Sequence, residues 1–196
     1  MQDNKVLAPL PVADWDDSLT QVMEDMHGQP LNVHALMANH PELLKAWWDF
    51  RNYVVVGGDL GKRSGELVIL RVALHMKSWY EWGSHVDRAL ACGLTLAEIE
   101  RVKQSAAAPG WTVADKLLLT AVDELIARHA ISPETLAELY QHYSPKQVMD
   151  LIAIQGMYVT LGGMINSFGL ELDQQVLERL PESVSQAQFE SEFPRS

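Results

Sequence analysis

Cysteine is almost missing from this chain of 196 residues: Cys92 stands alone, which excludes an intrachain disulfide and any redox centre that needs two thiols. Basic residues are also scarce, with fifteen Lys and Arg against twenty-six Asp and Glu for a formal net charge of −11. Gripping a phosphate backbone takes clustered cations, so no nucleic-acid partner is expected. The opening MQDNKVLAPLP lacks a basic stretch followed by an apolar one. With a single cysteine, this reads as a protein of the reducing cytoplasm. One uncharged run, Leu151 to Leu170, has the length of a membrane span but includes Gln155, Thr160, Asn166, Ser167 and four glycines. No Lys/Arg cluster flanks it, so it reads as a buried helix or a subunit interface, and no membrane partner is expected.

What is present is apolar residue at helical spacing. A 47% apolar composition suits one globular domain, placed at residues 1–180. Pro41 sits at a first-turn position ahead of ELLKAWWDFRNYVVV, whose Leu43, Leu44, Trp47, Trp48 and Phe50 give an apolar face. After GGDLGK, Ser64 is a candidate cap for a helix reaching about Met76 that is apolar on most sides and so belongs inside the fold. The pattern breaks around Lys77 and Ser78, and a further helix carries Trp79 through Ala91 to a glycine stop at Gly93. Thr95 with Glu98 is a capping box, while Ser132-Pro133 and Ser144-Pro145 each place proline just after a cap. The reading is all-α, with roughly eight helices and no hairpin signal. A short likeness between Glu66-Leu67-Val68-Ile69-Leu70 and Asp150-Leu151-Ile152-Ala153-Ile154 suggests two loosely repeated halves. In the second copy, Ile165 and Gly169 replace Glu81 and His85. The tail from Pro181 has little apolar periodicity and is expected to fray or lie across a neighbouring subunit.

Chemistry is sought in ELVILRVALHMKSWYEWGSH, Glu66 to His85, where acid–base side chains sit among hydrophobes. Burial shifts carboxylate and imidazole pKa values, which suits proton transfer. Glu81 and His85 are four apart, on one helix face, and read as a hydrogen-bonded pair. The plain alternative is a surface Glu–His pair. Glu66 is a third candidate, either a relay or a first-turn glutamate that meets only the helix dipole. Tyr80 is either catalytic or a buried tyrosine needing one hydrogen bond. Trp79 and Trp82 read as pocket wall or core, and Ser78 is placed beside them. Arg71 binds a substrate carboxylate or makes a structural ion pair. His75 reads as a core histidine and Cys92 as a small packed hydrophobe. The spacing is not HExxH, so no metal is expected.

These residues resemble the carboxymuconolactone decarboxylase and alkylhydroperoxidase D (AhpD-like) superfamily, over roughly 43–102 and more loosely beyond. The specific part is Glu66, then YEWGSH at Tyr80 to His85, then ALACGLTLAEIERV. The resemblance implies an all-helical bundle assembled as a homo-oligomer. Laying the CxxCxxxH motif of the peroxidase branch on His85 puts its cysteines at Ser78 and Glu81, so both thiols are absent and a thiol peroxidase is disfavoured. The ExxxH of the decarboxylase branch falls on Glu81 and His85, with Gly93-Leu94-Thr95 as its following turn. The expectation is then an enzyme, without a cofactor, doing acid–base chemistry of decarboxylation or lactone/isomerisation type on a small organic acid or lactone. His85 is its acid–base, Glu81 the orienting partner or second acid, Glu66 the relay and Tyr80 an accessory, with Ser78, Trp79, Trp82 and Arg71 in the pocket. A non-catalytic oligomer that binds small acids is the remaining alternative.

Overall fold

The computed structural model describes residues 7–195. Residues 1–6, which open the segment inspected above for a leader, lie outside the described residues. Among the described residues the chain forms eleven α-helices and no strand, as the helical spacing predicts. Two short helices, α1 (Thr20–Asp25) and α2 (Asn32–Met37), lead into α3 (Pro41–Asn52), which starts at Pro41 and runs straight into a π-helical turn at Tyr53–Gly57. On α3 the side chains of Leu44, Trp47 and Trp48 are buried while Leu43 and Phe50 are exposed, so its apolar face is narrower than the sequence suggests.

The fold is organised around α4 (Lys62–His75), in which every residue from Gly65 to Leu74 is buried. It begins two residues before Ser64, because Gly61 takes a φ of +86° that an L side chain resists and so ends the preceding turn. A tight turn through Lys77, itself at φ +51°, reverses the chain, and the Ser78 hydroxyl caps α5 (Trp79–Ala91) by accepting the Glu81 N–H. Gly93 in left-handed geometry follows the end of α5, and the Thr95–Glu98 capping box opens α6 (Leu96–Val102). Ser132 and Ser144, each followed by proline, cap α8 (Pro133–Leu139) and α9 (Pro145–Phe168). Helices α5, α7 (Val113–Arg128) and α9 surround α4.

Helix α9 is long and apolar enough to cross a membrane, yet Leu151, Ile154, Met157, Tyr158 and Ile165 are buried in the protein core. It is unbroken through Thr160, the counterpart of the α4–α5 turn, so the likeness between the two halves spans a single helix. After the four-residue α10 (Gln174–Leu177), the tail does not fray. It folds back as α11 (Gln186–Glu192), whose Phe189 is 1% exposed and packs on Trp79 and Trp82 at 5.9 and 5.6 Å between ring centroids. One large hydrophobe in a polar segment has no periodicity to reveal it, but two partnered indoles are enough to hold it.

Arg71 joins three elements. Its guanidinium donates to both oxygens of Asp123 on α7 at 2.7 Å and to the carbonyls of Val102 and Gln104 at the end of α6. Burial alone would raise the Asp123 pKa, but hydrogen bonds from His75 and Arg71 outweigh it and hold the carboxyl below its usual range. Arg71 is therefore a structural ion pair and not a pocket residue. Arg71→Met should lower the unfolding free energy by about 3 kcal/mol, because it strands a partly buried carboxylate and two carbonyls. Urea titration of the variant measures this directly.

Candidate active site

Antiparallel packing of α4 on α5 sets Glu66 against His85, and Glu66 Oε2 lies 2.6 Å from His85 Nδ1. Both side chains are almost fully enclosed. The pairing differs from the i, i+4 partnership expected within α5. Glu81 lies on the same stripe of α5 as His85, but its carboxyl is directed at α9, where a Cβ added to Gly162 would come within 2.8 Å of Glu81 Oε2. Glycine at 162 is what leaves room for the acid. Neither Glu81 carboxyl oxygen has a hydrogen-bond partner, and the side chain is 1% exposed. Burial, only partly opposed by the nearby Ser78 hydroxyl, pushes its pKa well above the ordinary carboxylate range, so it holds its proton at a pH where an exposed glutamate is ionised.

The imidazole is shifted the other way. Burial lowers the His85 pKa, the Glu66 carboxylate opposes this, and the charges of Arg88 and Arg51 add to the lowering. A neutral ring that donates Nδ1–H to Glu66 leaves its lone pair on Nε2, which faces Arg88 Nη1 at 3.4 Å. Tyr158 of α9 stands edge-on to the ring at 4.9 Å and fixes its plane. The site thus holds a neutral base and a neutral acid, two groups whose surroundings shift their pKa values in opposite directions.

His85, Glu81, Ser84, Arg88, Arg51 and Tyr158 line an inner cavity of about 40 Å³. On the other side of the His85–Glu66 bond, Glu66 lines an outer cavity of about 470 Å³, together with Cys92, Lys62 and the π-helical turn. Arg88 borders both cavities.

Tyr80 also borders the inner cavity, but its hydroxyl donates to Asp173 Oδ2 at 2.6 Å and accepts the Val33 N–H at 3.2 Å. It ties α5 to α2 and to the start of α10. Trp79, Trp82, Ser78 and Arg71 do not line the cavity: the two indoles face α11 from the opposite side of α5, Ser78 caps the helix, and Arg71 faces α7. Five polar contributors, Ser84, Arg88, Arg51, Tyr158 and His34, had no place among the sequence candidates. Arg88 follows Glu81, Ser84 and His85 at helical spacing and was readable from the α5 stripe. Arg51 and Tyr158 come from α3 and α9 and carry no local signal. His34, also at the cavity, is kept neutral by burial, with its pKa pulled down to about 3.

Residues 41–124, which include Glu66, Glu81, His85, Arg51 and Arg88, match the carboxymuconolactone decarboxylase family model. The segment that carries the candidate site is similar to that family over somewhat less than half of the chain. Its fold is AhpD-like. An AhpD-core, peroxidase-related protein from Ralstonia eutropha superposes with a TM-score of 0.75 at 18% identity, over 90% of this chain and 98% of that one. A variant of the debrominase Bmp8 in complex with 2,3,4-tribromopyrrole gives 0.73 at 15% identity, over 90% and 96%. A putative antioxidant defence AhpD protein from Agrobacterium tumefaciens gives 0.64 at 21% identity, over 70% and 94%. No curated protein matches the chain in sequence. This protein has no thiol in the α5 stripe. Cys92 lies beyond the helix end, half-buried at the outer cavity, where burial raises the thiol pKa.

Proposed function

We propose that the protein is an enzyme that moves protons on a small organic acid or lactone without a cofactor, in a reaction of decarboxylation or isomerisation type. The observation that carries this reading is the enclosed 2.6 Å bond between His85 Nδ1 and Glu66, which presents Nε2 as a base toward a cavity that also holds Glu81. In an isomerisation, His85 Nε2 takes a proton from carbon, the electron pair moves into a conjugated system, and Glu81 delivers its proton to the atom where negative charge collects. In a decarboxylation, the bond to the carboxylate breaks, carbon dioxide leaves, and the same acid protonates the carbon. Glu66 stabilises the imidazolium formed when His85 accepts a proton. Peroxide reduction through a pair of thiols finds no support, since Ser78 and Glu81 occupy the two cysteine positions of the motif.

The test is thermal denaturation of wild type and His85→Ala with a panel of small organic acids and lactones that includes carboxymuconolactone. Ligand binding to the folded state raises the melting temperature, by about 2.7 kcal/mol of stabilisation at a hundredfold excess over Kd. A shift in wild type, followed by turnover of the same compound that an equally stable His85→Ala loses, supports the reading. Saturable binding without turnover would favour a non-catalytic acid-binding protein.

A further inference from the structure

Arg51 and Arg88 bring two positive charges to the wall of the inner cavity. Among the described residues neither forms an ion pair: Arg51 donates to Asn52 Oδ1 at 3.0 Å and lies over the Trp48 ring at 4.9 Å, while Arg88 reaches only His85 Nε2. Burial lowers the Arg51 pKa, Tyr158 opposes this, and the charge of Arg88 adds to the lowering. Two guanidiniums with partial burial and mutual repulsion cost stability unless an anion joins them. Beside them Ser84 Oγ and both Glu81 oxygens are buried with no partner. Buried polar atoms are normally satisfied, and here the unsatisfied ones and the unpaired cations border one space.

We infer that Arg51 and Arg88 form a carboxylate subsite, and that the inner cavity takes a small monocarboxylate whose carboxylate lies between them. The cavity of about 40 Å³ holds on the order of three waters, enough for a carboxylate and a short carbon stub, and Trp47, Met157 and Leu161 supply apolar wall for the stub. Guanidinium forks match a planar carboxylate in two-point geometry. Since Arg88 abuts His85 Nε2, a carboxylate held there places its α- or β-carbon next to the base. The substrate class is accordingly a carbon acid with an activated C–H close to a carboxylate. The inference rests on the proposed proton-transfer reading only in treating this occupant as substrate.

The experiment measures, by calorimetry or ligand-observed NMR at constant ionic strength, binding of acetate, pyruvate and crotonate, of their primary amides, and of inorganic phosphate. The proteins are wild type, Arg51→Gln, Arg51→Lys, Arg88→Gln and His85→Asn. The expected result is that at least one carboxylate binds wild type ten times more tightly than its amide, and that each Gln variant loses tenfold or more, as charge-assisted hydrogen bonds require. Arg51→Lys should keep the charge but lose the two-point contact, so its affinity should fall between wild type and Arg51→Gln, and the ligand-free Gln variants should melt no lower than wild type because a like-charge repulsion is relieved. His85→Asn should bind the carboxylate unchanged while turnover disappears, so a failure of the catalytic reading is told apart from a failure of the subsite. Equal binding of acid and amide, carboxylate affinity untouched in both Gln variants, no carboxylate bound, or tighter arginine-dependent binding of phosphate would each overturn the inference. A markedly lower melting temperature for the ligand-free Gln variants would also overturn it, by making the arginines structural.

Discussion

Glu66→Gln is expected to cut turnover by about 10²–10⁴-fold while the protein stays folded, the range seen when a general base loses its orienting carboxylate. The amide can still occupy the space, but it offers Nδ1 a donor as readily as an acceptor. A donated hydrogen bond flips the tautomer and puts the proton on Nε2, where the base should be. The negative charge that favours imidazolium is also removed, leaving burial and the two arginines, all of which disfavour protonation. The imidazole pKa of His85, followed by NMR, should therefore fall below its wild-type value. A variant with unchanged His85 titration and turnover within twofold of wild type would remove Glu66 from the mechanism.

Glu81→Gln should separate the two pH regimes of this protein. A carboxyl whose pKa is raised by folding keeps its proton while the unfolded chain releases it, so stability falls as pH rises from the ordinary glutamate range through the folded value. The amide cannot ionise and lacks that slope. Near pH 4 variant and wild type should melt together, and near pH 8 the variant should have the higher Tm, because each unit of upward pKa shift costs the wild type about 1.4 kcal/mol there. The same substitution removes the proton donor, so turnover should drop by about 10²–10⁴-fold even as stability rises. Melting curves at the two pH values decide it: an identical pH slope in both proteins would mean that Glu81 is not held protonated by the fold.

Helix caps and the apolar run of α4 were legible because each depends on neighbours in sequence. Pro41, Thr95, Ser132 and Ser144 start helices where their types predict, and the break at Lys77–Ser78 lies where the pattern stops. Within the site, Glu66, Glu81 and His85 were singled out, yet their pairing was not. An i, i+4 spacing allows a contact, but the antiparallel α4 offered His85 a better-enclosed carboxylate, and Gly162 gave Glu81 somewhere else to point. The aromatics beside them pointed the wrong way for the same reason. Trp79 and Trp82 share a segment with Glu81 but not a face, and their partner, Phe189, lies over a hundred positions away in a polar tail. Arg51 and Tyr158 reach the cavity through tertiary packing alone.

The position of Phe189 bears on where the protein can be cut. The segment that carries the family match, 41–124, looks like a unit to excise, but one flank of its α5 is roofed by residue 189 and its acid is seated on a glycine at 162. A fragment ending at Glu124 would leave two indoles and a protonated glutamate facing water. The stretch most recognisable by sequence is thus not a separable piece of the molecule, and a shortened version made for expression or crystallisation should keep α9 and run past Phe193.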